Sequence, residues 1–140
     1  MILYLDTSAL VKLYIEETGS QEVKRAVEEA RIISTSRVAY VEAMSAIARK
    51  YREGELSDEE QDQIARDLDR DWDNCFVVEV SEGVTKLGGE LTSRHPLRGF
   101  DAIHLASALL LQNRTRLEVS FFCFDERLKT AAKAEGLAVA

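Results

Sequence analysis

Short apolar runs alternate with helix-forming segments along the whole chain, and this alternation restricts its fold more than any other feature. Residues 2–5, 32–35, 75–80 and 119–124 read as strands, and the stretches between them carry helical periodicity. Strand and helix signals taken in turn imply an α/β fold, a mainly parallel sheet flanked by helices. The 140 residues suffice for one domain, 1–140, with a real buried core.

The helix boundaries follow from caps and breakers. Thr7 or Ser8 caps a first helix reaching about Glu16, which Gly19 breaks, and a second runs from about Ser20 to Ala30. Ser36 caps a long helix through Arg52, with an apolar stripe expected at Val38, Val41, Met44 or Ser45, Ala48 and Tyr51. Gly54 ends it. Ser57 and Glu60 form a capping box for the next helix, whose Ile64, Leu68 and Trp72 give one narrow apolar stripe. Ser81 opens a helix that Pro96 terminates, and residues 101–112 form the most apolar one. A last helix runs from Asp125 to about Glu135, where Gly136 stops it, leaving residues 137–139 as an edge strand.

No stretch is long or apolar enough to span a bilayer, and Met1 leads directly into a strand, so no membrane contact and a cytoplasmic location are expected. Cys75 and Cys123, both in strand-like runs, read as buried free thiols. The formal charge of −7 argues at first sight against a nucleic-acid partner. Ten acids and two bases fall within residues 53–73, however, so that segment alone carries −8 and the remainder +1. The acidity belongs to one helix, most simply as a solvated outer face.

Four other acids lie outside that run. Asp6 ends MILYLD and Asp125 ends SFFCFD, which puts both at the carboxyl ends of strands, the edge where open α/β sheets hold ligands. Glu42 sits at the margin of a helix's core-facing stripe, and Asp101 shares a helix face with Leu105 and Ala108. Singly, each has a structural explanation as a cap, a helix-dipole partner or a partly exposed residue. Together, four carboxylates turned toward one cleft repel one another unless a cation neutralises them. With no His or Cys framework they form a ligand set for a hard divalent cation, and so for metal-assisted phosphodiester chemistry.

The segments MILYLDTSALVKLY, VAYVEAMSAIARKYREGEL, GFDAIHLASAL and CFDERLKTAAKAEGLAV, in that order and spacing, resemble the PIN-domain ribonucleases. Within that family the resemblance is to the VapC toxins of type II toxin–antitoxin modules, and it covers essentially the whole chain. It implies a PIN-like fold with a five-stranded, mainly parallel sheet. It also implies an Mg²⁺- or Mn²⁺-dependent endoribonuclease, a homodimer, an RNA substrate and a VapB-type antitoxin that blocks the acidic cleft. The resemblance carries the catalytic and metal-binding roles onto Asp6, Glu42, Asp101 and Asp125, with Asp6 and Asp101 as principal ligands and Ser8, ahead of Thr7, supporting Asp6. The last motif often reads Thr-x-Asp but here reads Cys123-Phe124-Asp125. A thiol is a poorer hydrogen-bonding group than a hydroxyl, which leaves Asp125 the least constrained of the four.

Lys12, Arg37, Arg49, Lys50, Arg94, Arg98, Arg127 and Lys129 lie near these motifs in sequence, and Arg98 and Arg127 are the expected substrate contacts. His104 is expected as a structural neighbour rather than a general base, His95 as a loop residue, and Trp72 and Tyr51 as core or interface residues. Three other functions compete with the toxin reading. A PIN nuclease of RNA maturation is the first and a non-catalytic RNA- or protein-binding PIN module the second. A phosphotransferase using Asp6 as nucleophile is the third; Ser8 stands where its second aspartate would be needed.

Overall fold

The computed structural model describes residues 1–140. The elements in chain order are β1 (Ile2–Leu5), α1 (Thr7–Val11), α2 (Ser20–Glu29), β2 (Ile32–Ser36), α3 (Val38–Arg52), α4 (Asp58–Trp72), β3 (Phe76–Val78), α5 (Glu82–Arg94), α6 (Gly99–Thr115), β4 (Val119–Phe122), α7 (Glu126–Ala134) and β5 (Ala138–Val139). The five strands form one sheet in the order β3-β2-β1-β4-β5. Every neighbouring pair is parallel, so the sheet is wholly rather than mainly parallel.

β1 lies at the centre with all four residues buried, as expected of a strand covered on both faces. The alternation of strand side chains divides the core in two. Ile2, Tyr4 and Phe121 pack with α5, α6 and α7, while Leu3, Leu5 and Phe122 pack with α1, α2, α3 and α4. From β1 the chain steps outward to β2 and β3, then returns to place β4 on the other side of β1. The strand order therefore reverses between β1 and β4, and their carboxyl ends open onto the crevice where ligands of such sheets bind.

Several elements depart from the sequence expectation. α1 stops at Val11 and does not reach Glu16, because the Ser20 hydroxyl donates to the Ile15 carbonyl and accepts from the Glu17 amide, bending the chain into α2. On α3 the buried face is Ala39, Ala43 and Ile47, whereas Val41 and Tyr51 are exposed, at 66% and 37%. Ser36 ends β2 instead of initiating α3, although its hydroxyl still accepts from the Val38 amide. β3 is three residues long with Phe76 exposed, and β4 ends at Phe122. His95 is more than a loop residue: it closes the end of α5, and its Nε2 lies 2.7 Å from Glu135 Oε2.

The capping box at Ser57 and Glu60 forms as expected, and Leu68 is the buried residue of α4. The acidic helix is not simply solvated, since the hydroxyls of Tyr14, Tyr40 and Tyr51 donate to Asp71, Asp69 and Asp58. Trp72 packs edge-on against Tyr40. Gly19, at φ 97°, precedes α2 in a conformation that a side chain opposes, and a Cβ there would meet the Phe124 ring at 2.6 Å. The absence of a side chain at Gly19 thus leaves the room that the Phe124 ring occupies next to Asp125.

Candidate active site

Asp6 follows β1 without a spacer, and its Oδ1 accepts from the Ala9 amide (2.9 Å) and the Ser8 hydroxyl (2.7 Å). The same oxygen caps α1, so the capping role and a site role coexist. Asp125 caps α7 in the same way, its Oδ1 accepting from the amides of Arg127 (2.8 Å) and Leu128 (3.1 Å). Those two amides, not Cys123, orient this carboxylate: the Cys123 thiol donates to the Asp125 backbone carbonyl. Asp101 occupies the first turn of α6, 3.6 Å from Arg98 Nε. Glu42 projects from α3, and its Oε1 accepts from the Thr7 hydroxyl at 2.5 Å and faces His104 Nε2 at 3.1 Å.

All four carboxylates line one open depression of about 300 Å³ at the carboxyl edge of the sheet, together with Thr7, Ser8, Arg98, His104 and Phe124. A second depression, of about 530 Å³, adjoins it through Glu42, Arg98 and Asp101 and adds Gly99 and Phe100. A mostly apolar hollow of about 280 Å³ between β3, α5 and α6 contains none of the four acids. Arg127 does not line the depression; its backbone amide serves Asp125 and its side chain is exposed.

One oxygen of each carboxylate is engaged, and the other has no hydrogen bond within the chain: Oδ2 of Asp6, Oε2 of Glu42, Oδ1 of Asp101 and Oδ2 of Asp125. No buried polar side-chain atom in the protein lacks a partner, so these free oxygens reach solvent. Their chemistry fits a hard cation that keeps several waters, as Mg²⁺ does. No three His, Cys, Asp or Glu side chains are gathered into a ready-made ligand cluster, so water or substrate would have to complete the coordination.

The two inner acids are tuned in opposite directions. Burial pushes the Asp6 carboxyl above its ordinary value, outweighing the Ala9 and Ser8 hydrogen bonds, and the Asp101 charge adds to the rise. Burial raises Glu42 as well, but the hydrogen bonds from His104 and Thr7 win and hold it below its ordinary value. The Cys123 thiol is pushed up to about 12, chiefly by burial, and is no nucleophile. Both cysteines are free, Cys123 buried and Cys75 half-buried.

Most of the nearby bases are already paired. Lys12 binds Glu17 and lies over the Phe124 ring, Arg37 binds Glu79, Lys50 binds Glu55, Arg94 binds Glu135, and Lys129 binds Glu126. Arg98 alone among them lines the depression. Sequence reasoning ranked Thr7 below Ser8 and left Tyr4 out altogether. The one available signal was a hydroxyl inside a strand buried on both faces, which requires a partner.

Residues 3–134 match the PIN domain family. The chain is 37% identical to ribonuclease VapC49 of Mycobacterium tuberculosis, over 99% of its length and 94% of the relative's. In fold it is similar to M. tuberculosis VapC20, described as a Sarcin-Ricin loop cleaving toxin (TM-score 0.68, 17% identity, 92% of this chain and 94% of that one). It is also similar to VapBC2 of Rickettsia felis, solved on a promoter DNA fragment (TM-score 0.69, 14% identity, 100% of this chain and 98% of that one). No helix is long and apolar enough to cross a membrane.

Proposed function

The chain belongs to the PIN-domain family, alongside the VapC ribonucleases, and from that premise we propose that it is a metal-dependent endoribonuclease, the toxin of a VapBC-type module. The single observation that carries this reading is the depression in which four carboxylates from β1, α3, α6 and the β4–α7 junction each keep one oxygen free. Asp6 and Asp101 would be the principal holders of Mg²⁺ or Mn²⁺, with Glu42 and Asp125 completing the site or positioning the water. Such an ion, when bound, supplies positive charge to a phosphoryl oxygen and activates water.

The chain's own contribution is positional. Ser8 and the Ala9 amide fix Asp6, two amides of α7 fix Asp125, and Arg98 stands at the mouth as a cation for the backbone phosphates. The protein would act in the cytoplasm as a homodimer, held inactive by a VapB-type antitoxin. A basic side chain of that antitoxin could pair with the free carboxylate oxygens and compete with the metal.

Purified antitoxin-free protein should cut cellular RNA into discrete fragments when Mn²⁺ is present and leave it intact in EDTA. Intact RNA under both conditions would favour a non-catalytic binding module, and cutting that survives EDTA would remove the metal from the mechanism. Arg98→Ala is expected to weaken RNA binding several-fold and to reduce the slope of log affinity against log salt by about 0.7, the value of one single-strand phosphate contact. An unchanged slope in a filter-binding titration would take Arg98 out of the interface.

A further inference from the structure

A polar network runs beneath the floor of the depression and connects the two helical layers across the end of β1. Tyr4 in β1 is fully buried, with its ring stacked on Phe121 at 5.4 Å, and its hydroxyl lies 2.8 Å from His104 Nδ1. His104 in α6, 3% exposed, places Nε2 at 3.1 Å from both Glu42 Oε1 and Thr7 Oγ1. Thr7 in turn donates to the same Glu42 oxygen.

We infer that His104 is a positioning residue: held as the Nε2–H tautomer by the Tyr4 hydroxyl, it pins Oε1 of Glu42 and leaves Oε2 to the site. An ionised carboxylate only accepts, so the ring nitrogen facing Glu42 carries the proton. The other nitrogen then presents its lone pair to the Tyr4 hydroxyl, which is sealed in the core and whose other side-chain neighbour, Ser107, gives its own proton to the Ile103 carbonyl. The ring proton is shared between Glu42 and the Thr7 oxygen, and the Thr7 proton goes to Glu42. Two donors thus converge on one carboxylate oxygen and none on the other. With both nitrogens engaged, His104 has no lone pair to offer a water or a ribose hydroxyl, which excludes it as general base. The same outer-shell logic fixes ligand orientation in metal sites.

This inference rests on the nuclease reading, but its first test does not. Long-range ¹H–¹⁵N spectra of the metal-free protein should show His104 protonated at Nε2 and bare at Nδ1, with Tyr4→Phe converting the signal to a tautomer mixture. A ring protonated at Nδ1 would overturn the inference whether or not the protein cuts RNA.

In cleavage assays His104→Leu should lower kcat by about 10- to 100-fold, the usual loss for an outer-shell partner, with KM for RNA unchanged. His104→Gln, whose amide nitrogen reaches the place of Nε2, should recover most of the rate. On a Glu42→Gln background His104→Leu should cost almost nothing further, because the partner it positions is already gone. Multiplicative losses, or no rescue by Gln in a variant with wild-type Tm, would assign His104 a purely structural role.

Discussion

Asp6→Asn should cut the rate of RNA cleavage by about 10³-fold, the scale of losing one preorganised electrostatic group, while making the metal-free protein more stable. The amide keeps an oxygen where Oδ1 accepts from Ala9 and Ser8, so the cap survives. It removes the buried negative charge whose cost shows as the raised Asp6 pKa. Because the folded pKa lies above the unfolded one, the folded chain holds this proton more tightly. Stability therefore falls as pH rises from the ordinary carboxylate range through the elevated Asp6 value. The Asp6→Asn variant has no proton to lose at this position and should abolish that part of the fall. Thermal unfolding in EDTA from about pH 4 to about pH 8 reads the difference directly. Parallel curves would mean that Asp6 is already neutralised by its neighbours. A variant that still cuts RNA at the native rate would remove Asp6 from the chemistry.

Phe121→Ala should cost about 3–5 kcal/mol, the range for emptying a buried aromatic position. Phe121 is fully buried, sits opposite Tyr4 in the β1–β4 register, and stacks on it with the rings 7° from parallel. Such a loss is a large share of the whole stability of a domain this size. Urea unfolding should show a lower midpoint with unchanged slope. A loss below about 1 kcal/mol would mean that the surrounding side chains collapse into the gap. Cleavage by the fraction still folded should drop as well, because Tyr4 loses the ring that keeps its hydroxyl on His104.

The alternation of strands and helices, the capping box at Ser57 and the strand-end position of Asp6 were legible because each depends on neighbours in sequence. The buried face of α3 was misread for a physical reason. The larger Val38, Val41 and Tyr51 drew the apolar stripe toward themselves, whereas close packing of α3 chiefly against α1 selected Ala39 and Ala43. β3 was read too long because its apolar run continues past the point where an edge strand finds a partner. Arg127 stands close to Asp125 in sequence, yet its side chain does not line the depression. The Tyr4–His104 bond joins residues 100 positions apart, and no spacing rule pairs them. Glu42 was recognised as a site candidate, but its dependence on Thr7 and His104 exists only once three helices meet at the end of β1.

The position of β1 between β2 and β4 also governs when a working site can exist. Asp6 and Asp125 become neighbours only through the pairing of β1 with β4, whose register matches Ile2 with Val119 and Leu5 with Phe122. Contacts of such long sequence separation are slow to form, because the intervening loop must be closed before they bring any gain. A half-folded chain, or one in which β4 and α7 have peeled away, therefore keeps Asp6, Glu42 and even Asp101 but has no assembled cleft. Cleavage should therefore be lost as soon as β4 separates from β1, and a proteolytic nick that frees β4 and α7 should abolish it even where β1, β2 and β3 stay paired.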